Sequence, residues 1–143
     1  MKRFQFSLQK LLELRSFYEK QAEMDLAQKA GACALLETKL KEIAVQAFQA
    51  RAFISDSSCS LDERRSVEFF LLRLDRDRKK TEKDLAIAEL AREKSRLAYI
   101  EARKQKTVIE KLKEKKETEY YSLSLKVEQA MLDDMANARF GRY

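Results

Sequence analysis

Residues 61–138 read LDERRSVEFFLLRLDRDRKKTEKDLAIAELAREKSRLAYIEARKQKTVIEKLKEKKETEYYSLSLKVEQAMLDDMANA, and no Pro or Gly interrupts them. Those two residues punctuate helices most strongly. Apolar and small residues recur at alternating steps of four and three: Val67, Leu71, Leu74, Thr81, Leu85, Ala88, Ser95, Tyr99, Ala102, Ile109, Tyr120, Leu123, Val127 and Ala130. Arg78, Arg92, Lys106, Lys113 and Lys116 fall in the same register, so charge interrupts the stripe. The pattern predicts one long helix with an imperfect coiled-coil seam. At 1.5 Å per residue it would run roughly 115 Å. Such a helix must lie along another, and any part left uncovered must meet a partner.

Upstream, residues 4–54 predict a first helix. Phe4, Leu8, Leu11, Arg15, Tyr18 and Ala22 begin its stripe, and Leu26, Lys29, Cys33, Leu36, Leu40, Ile43, Ala47, Ala50 and Ile54 continue it after a shift of phase. Gly31 lies near this seam, and close packing of the two helices is its expected reason. Residues 55–60 (Ser-Asp-Ser-Ser-Cys-Ser) break the periodicity with side chains that favour turns. Ser60-Leu61-Asp62-Glu63 then fits a capping box, in which each end residue satisfies the other's backbone amide. A loop of about six residues between long helices makes them antiparallel neighbours. The expected fold is therefore all-α: an antiparallel two-helix coiled-coil hairpin, one domain over residues 1–143, with helix one at about 4–54, the loop at 55–60 and helix two at about 61–138. Helix one is too short to cover all of helix two. The sequence predicts a protruding C-terminal helix from Lys111 to Ala138, about 40 Å long.

Composition agrees with this and removes several classes of function. Charged residues are 38% of the chain, against an ordinary ~25%. The net charge of +6 allows attraction to nucleic acid, an anionic membrane surface or an acidic protein without choosing among them. There is no His and there are only two Gly. The commonest general base and metal ligand is thus missing, and no Gly-rich phosphate loop can form. No catalytic, cofactor-binding or metal-binding constellation is expected. Adjacent acids such as Asp133 and Asp134 read as solvated surface. Cys33 falls in the seam and Cys59 in the loop, with no disulfide framework, which suits a cytosolic protein.

Candidate function therefore lies on surfaces. Phe69, Phe70 and Leu72 exceed what a two-helix seam needs, and large aromatics make interface anchors. Two basic clusters follow, Arg73 to Lys83 and Arg103 to Lys116. Interleaved acids at i,i+4 spacing make ion-paired, solvated faces the expected reading. Nucleic-acid binding is not expected, although a basic helical nucleic-acid-binding protein stays as an alternative beside a self-associating scaffold.

The opening FQFSLQKLLELRSFYEKQAEMDLAQ (residues 4–28) resembles the amino-terminal segment of the FliJ family. Phe6, Leu8, Leu11, Leu12, Leu14, Arg15, Glu19, Ala22 and Leu26 carry the likeness. The closing EQAMLDDMANARF resembles that family's acidic-Ala-Arg ending, with Asp134 where Glu is common. Phe70 and Leu74 resemble its aromatic and Leu pair early in helix two. The resemblance implies a non-enzymatic component of the flagellar type III export apparatus, without a cofactor, in the cytoplasm and peripheral to the membrane. It implies three partners: the hexameric flagellar export ATPase, the export-gate membrane protein and export chaperones. By this resemblance Phe70 and Leu74 would contact the gate. The stalk analogy it brings would set Lys113, Lys115, Lys116, Tyr120, Leu123, Val127 and Met131 against the ATPase ring.

Overall fold

The computed structural model describes residues 3–141. Two helices account for nearly all of them, α1 (Gln9–Ser55) of 47 residues and α2 (Leu61–Phe140) of 80 residues. They pack against each other antiparallel, and the fold is an all-α helical hairpin. The packing divides into two compact units, each with a segment of both helices: one formed by Gln21–Ile100, the other by the described residues of 1–20 and 101–143. We call them the turn unit and the terminal unit.

In the turn unit, Asp56 to Ser60 reverse the chain. The Ser58 amide donates to Asp56 Oδ1 at 3.3 Å, and the Cys59 amide to the Asp56 carbonyl at 3.3 Å. The capping box forms as expected: Glu63 N–H donates to Ser60 Oγ at 3.3 Å, and Ser60 N–H to Glu63 Oε2 at 2.8 Å. These bonds from Ser60 hold the Glu63 carboxyl below its ordinary range. The core is a thin line of Cys33, Ile43, Leu74, Thr81 and Ser95. Both buried hydroxyls are satisfied, Thr81 by the Asp77 carbonyl at 2.8 Å and Ser95 by Asp25 Oδ2 at 2.6 Å. Small side chains let the two backbones approach, and the predicted seam positions of α2 lie covered from Val67 through Tyr99, apart from exposed Arg78, with Phe70, Asp75 and Ala91 partly covered beside them. Gly31 differs from expectation. It lies within an unbroken helix, but it is exposed, and a Cβ there would meet nothing within 4 Å. Packing against α2 does not explain it.

In the terminal unit, α1 starts at Gln9, about five residues later than its periodicity suggests. Residues 3–6 are non-helical, and burial alternates there: Phe4 and Phe6 half-covered, Gln5 and Ser7 exposed. That period of two belongs to an extended chain. An extended residue advances about 3.3 Å against 1.5 Å in a helix, so the short segment covers about twice the length of α2 that a helical turn would. Phe4 thereby reaches Tyr120, with ring centroids 5.5 Å apart. The uncovered part of α2 consequently begins after Ser124, not at Lys111. Charge and amides cross the rest of the seam, beside half-covered Leu11, Leu12, Ile109 and Leu112. Lys106 Nζ meets Glu19 Oε2 at 2.7 Å, Lys113 Nζ donates to Gln9 Oε1 at 3.1 Å, and Arg15 donates to Gln105. No described residue of this unit is fully buried.

Candidate interaction surfaces

The turn unit presents its aromatics early in α2. The capping box fixes the start of the helix, and the seam register then fixes which faces turn outward. Phe69 and Leu72 are exposed, at 72% and 64%. Phe70 is half-covered, and the Arg73 guanidinium stands 5.8 Å over its ring. That cation–π contact keeps one ring face occupied. Leu74 is different. It is 5% exposed and lines the same groove as Ile43, Ala47 and Leu71. The structure therefore separates the expected Phe70 and Leu74 pair into one surface residue and one seam residue. A direct contact from Leu74 would require the two helices to part.

The terminal unit likewise divides its seven candidates. Lys113 is held by Gln9, and Lys116 pairs with Glu119 at 3.0 Å. Tyr120 sits between the rings of Phe4 and Tyr121. Lys115 is exposed and has no carboxylate partner among the described residues. Leu123, Val127 and Met131 are exposed at 60%, 50% and 59%. Beyond Ser124 every described side chain is exposed, among them Leu125, Leu132 and Met135. Across the seam, the bond of Lys106 to Glu19 raises its pKa above the ordinary lysine value, and Glu110 at 3.6 Å assists.

Reading the sequence missed the extended amino-terminal segment, although Phe4-x-Phe6 carries a period of two that could have signalled it. It also took the basic clusters as ion-paired. Among the described residues, only Arg78 and Lys79 of the first cluster, and Lys106 and Lys116 of the second, have carboxylate partners. Among the described residues no group of His, Cys, Asp or Glu could hold a metal ion, and no helix is long and apolar enough to cross a membrane.

A thin seam, a capped turn and two sets of outward apolar side chains define a class, the antiparallel coiled-coil hairpin. The family model described as Flagellar FliJ protein matches residues 4–143, and the chain belongs to that family. The family is a non-enzymatic part of flagellar protein export, which gives the chain an export-related role in flagellum assembly. Neither the curated proteins nor the solved structures gave a match.

Proposed function

We propose that this chain is a stalk-like, non-enzymatic subunit of the flagellar type III export apparatus. It binds the hexameric export ATPase, promotes assembly and turnover of the ring, and links the ring to the export-gate protein at the cytoplasmic face of the membrane. Export chaperones are a further class of partner. The observation that carries this reading is the exposed last stretch of α2, residues 125–139, with Val127, Met131 and Met135 in it. A lone helix of about fifteen residues is marginal in water, so a partner that covers its apolar stripe gains both contact and order. Leu123, Val127 and Met131 make the apolar contact with the ring. Lys115 is ready to meet acidic groups at its mouth, and Lys113 and Lys116 join by exchanging Gln9 and Glu119 for them. Tyr120 contributes from behind, by fixing the start of the free stretch. At the gate, Phe70 makes the contact together with exposed Phe69 and Leu72, while Leu74 positions them from the seam.

The test compares the full chain with a chain ending at Ser124, and with Val127→Ser/Met131→Ser in the full chain. Both should keep the hairpin but lose binding to the purified export ATPase and stimulation of its turnover. Full stimulation by the shortened chain would overturn the assignment of the ring contact. Phe70→Ala should weaken binding to the gate protein's cytoplasmic domain without lowering thermal stability. A concentration-dependent dimer that hides residues 125–139 would favour the self-associating scaffold instead.

A further inference from the structure

Outside these two surfaces, α2 carries a second patterned face within the turn unit. Arg73, Arg76, Lys80, Lys83 and Lys94 recur at the steps of four and three that keep residues on one side of a helix. After Lys83, every place of this stripe up to position 97 except Lys94 is aliphatic: Ile87, Leu90 and Leu97, exposed at 67%, 74% and 56%. No acid occupies any position of this stripe. It stands two residues on from the seam register, which turns it away from α1.

The ion pairs of the segment show that this is a sorted face. They join Arg78 to Asp75 and Glu82, Lys79 to Asp75, and Arg96 to Glu93. All three cations lie off the stripe. None of the five stripe cations has a carboxylate within 4.0 Å among the described residues. Helices that only need solubility mix the two signs, because opposite charges at i,i+4 stabilise and like charges there destabilise. Here like charges stand at those spacings, beside exposed aliphatic side chains; Arg73 stands over the Phe70 ring, and among the described residues no carboxylate pairs with any of the five.

We propose that this stripe of α2 docks an acidic amphipathic helix of a partner protein, laid along residues 73–97 for about 36 Å. Its Asp and Glu side chains meet Arg73, Arg76, Lys80, Lys83 and Lys94, and its apolar stripe packs on Ile87, Leu90 and Leu97. Charge complementarity selects this occupant. A second copy of the chain, itself at +6 and basic on this face, would be repelled. Nucleic acid would use base-stacking aromatics, and there is none from Leu71 to Ala98. A membrane-lying helix buries a broad apolar face with basic edges, whereas this aliphatic line is one residue wide, with Glu89 and Glu93 beside Leu90.

The probe is a fluorescent synthetic peptide of about 28 residues, built of Leu, Ala and Glu heptads, measured against the full chain by anisotropy. A peptide of identical composition in scrambled order is its control. The ordered peptide should bind and the scrambled one should not. Lys80→Glu/Lys83→Glu and Ile87→Ser/Leu90→Ser should each weaken binding by about tenfold or more, with unchanged helicity. Lys39→Glu/Lys41→Glu on α1 makes the same change in net charge and should leave binding within about twofold. The proposal is overturned if nothing binds, if the scrambled peptide binds as well, if the α1 variant weakens binding equally, or if the Ile87/Leu90 variant is neutral. Tighter binding of a single-stranded oligonucleotide, or of phosphatidylserine vesicles, would also overturn it in favour of that ligand.

Discussion

The turn unit and the terminal unit use the same two helices, yet different forces hold them. All five fully buried residues lie in the turn unit: Cys33, Ile43, Leu74, Thr81 and Ser95. The terminal unit has none among its described residues, and across its seam Lys106, Lys113 and Arg15 meet Glu19, Gln9 and Gln105. Apolar burial is indifferent to competing polar groups. A polar seam is not, because water or a partner's charges can replace each bond at small net change. The turn unit is thus the stable base. The terminal unit, which carries the proposed ring contact, can exchange its bonds.

The largest expected effect tests the turn unit. Leu74→Ala removes the best buried aliphatic side chain of a seam that has few, and should cost about 3 kcal/mol in urea unfolding. Phe70→Ala, four residues earlier and half-exposed, should cost clearly less. Equal costs would mean that both are seam residues and would remove the distinction between support and contact. A full loss of gate binding by Leu74→Ala with no loss of stability would show that the helices part there.

Much of this division is legible in the sequence. The capping box and the heptad steps are local patterns, so Ser60, Glu63, Thr81 and Ser95 are found without a structure. Leu74 is placed in the seam by the same register, and the family likeness then points it outward. The covered length of α2 is not legible from helix lengths alone, because extended residues 3–6 advance further per residue than helical ones. Charge sorting is hidden for a different reason. Asp75, Asp77 and Glu82 alternate with cations along the chain, and only the 3.6-residue turn gathers the cations on one side. Gly31 remains without a packing reason in the hairpin itself.

A smaller effect tests the polar seam. Lys106→Met breaks the pair with Glu19 but keeps the aliphatic stem, and should cost about 1 kcal/mol or less near neutral pH, since the pair is partly exposed to solvent screening. The sign of its pH dependence follows from the raised pKa. A group with a folded value above its ordinary 10.5 contributes fully below that value, and the contribution fades as pH rises through the higher folded value. The difference between the wild type and Lys106→Met should therefore shrink above about pH 10.5. A difference that stays constant into that range would mean that the stem's packing, not the charge, matters at this position. The two units would then be held by one kind of force.

The smallest expected effect concerns the end of α2. If residues 125–139 touch nothing in the free chain, removing them should leave the hairpin where it was. A chain ending at Ser124 keeps Phe4 against Tyr120, Lys113 against Gln9 and every buried residue of the turn unit. Its urea midpoint should shift by no more than corresponds to about 0.5 kcal/mol, the range of changes at exposed sites. Amide hydrogen exchange should report the same asymmetry in the full chain. Slowest exchange is expected around Thr81 and Leu74, intermediate exchange around Lys106, and fast exchange beyond Ser124, because local opening follows buried contact. A stability loss well above 1 kcal/mol on shortening, or slow exchange beyond Ser124, would mean that the last turns are covered in the free protein. Addition of the export ATPase should then change little there. If the end is free, binding should slow exchange from Leu125 to Met135 while leaving the amides around Thr81 unchanged.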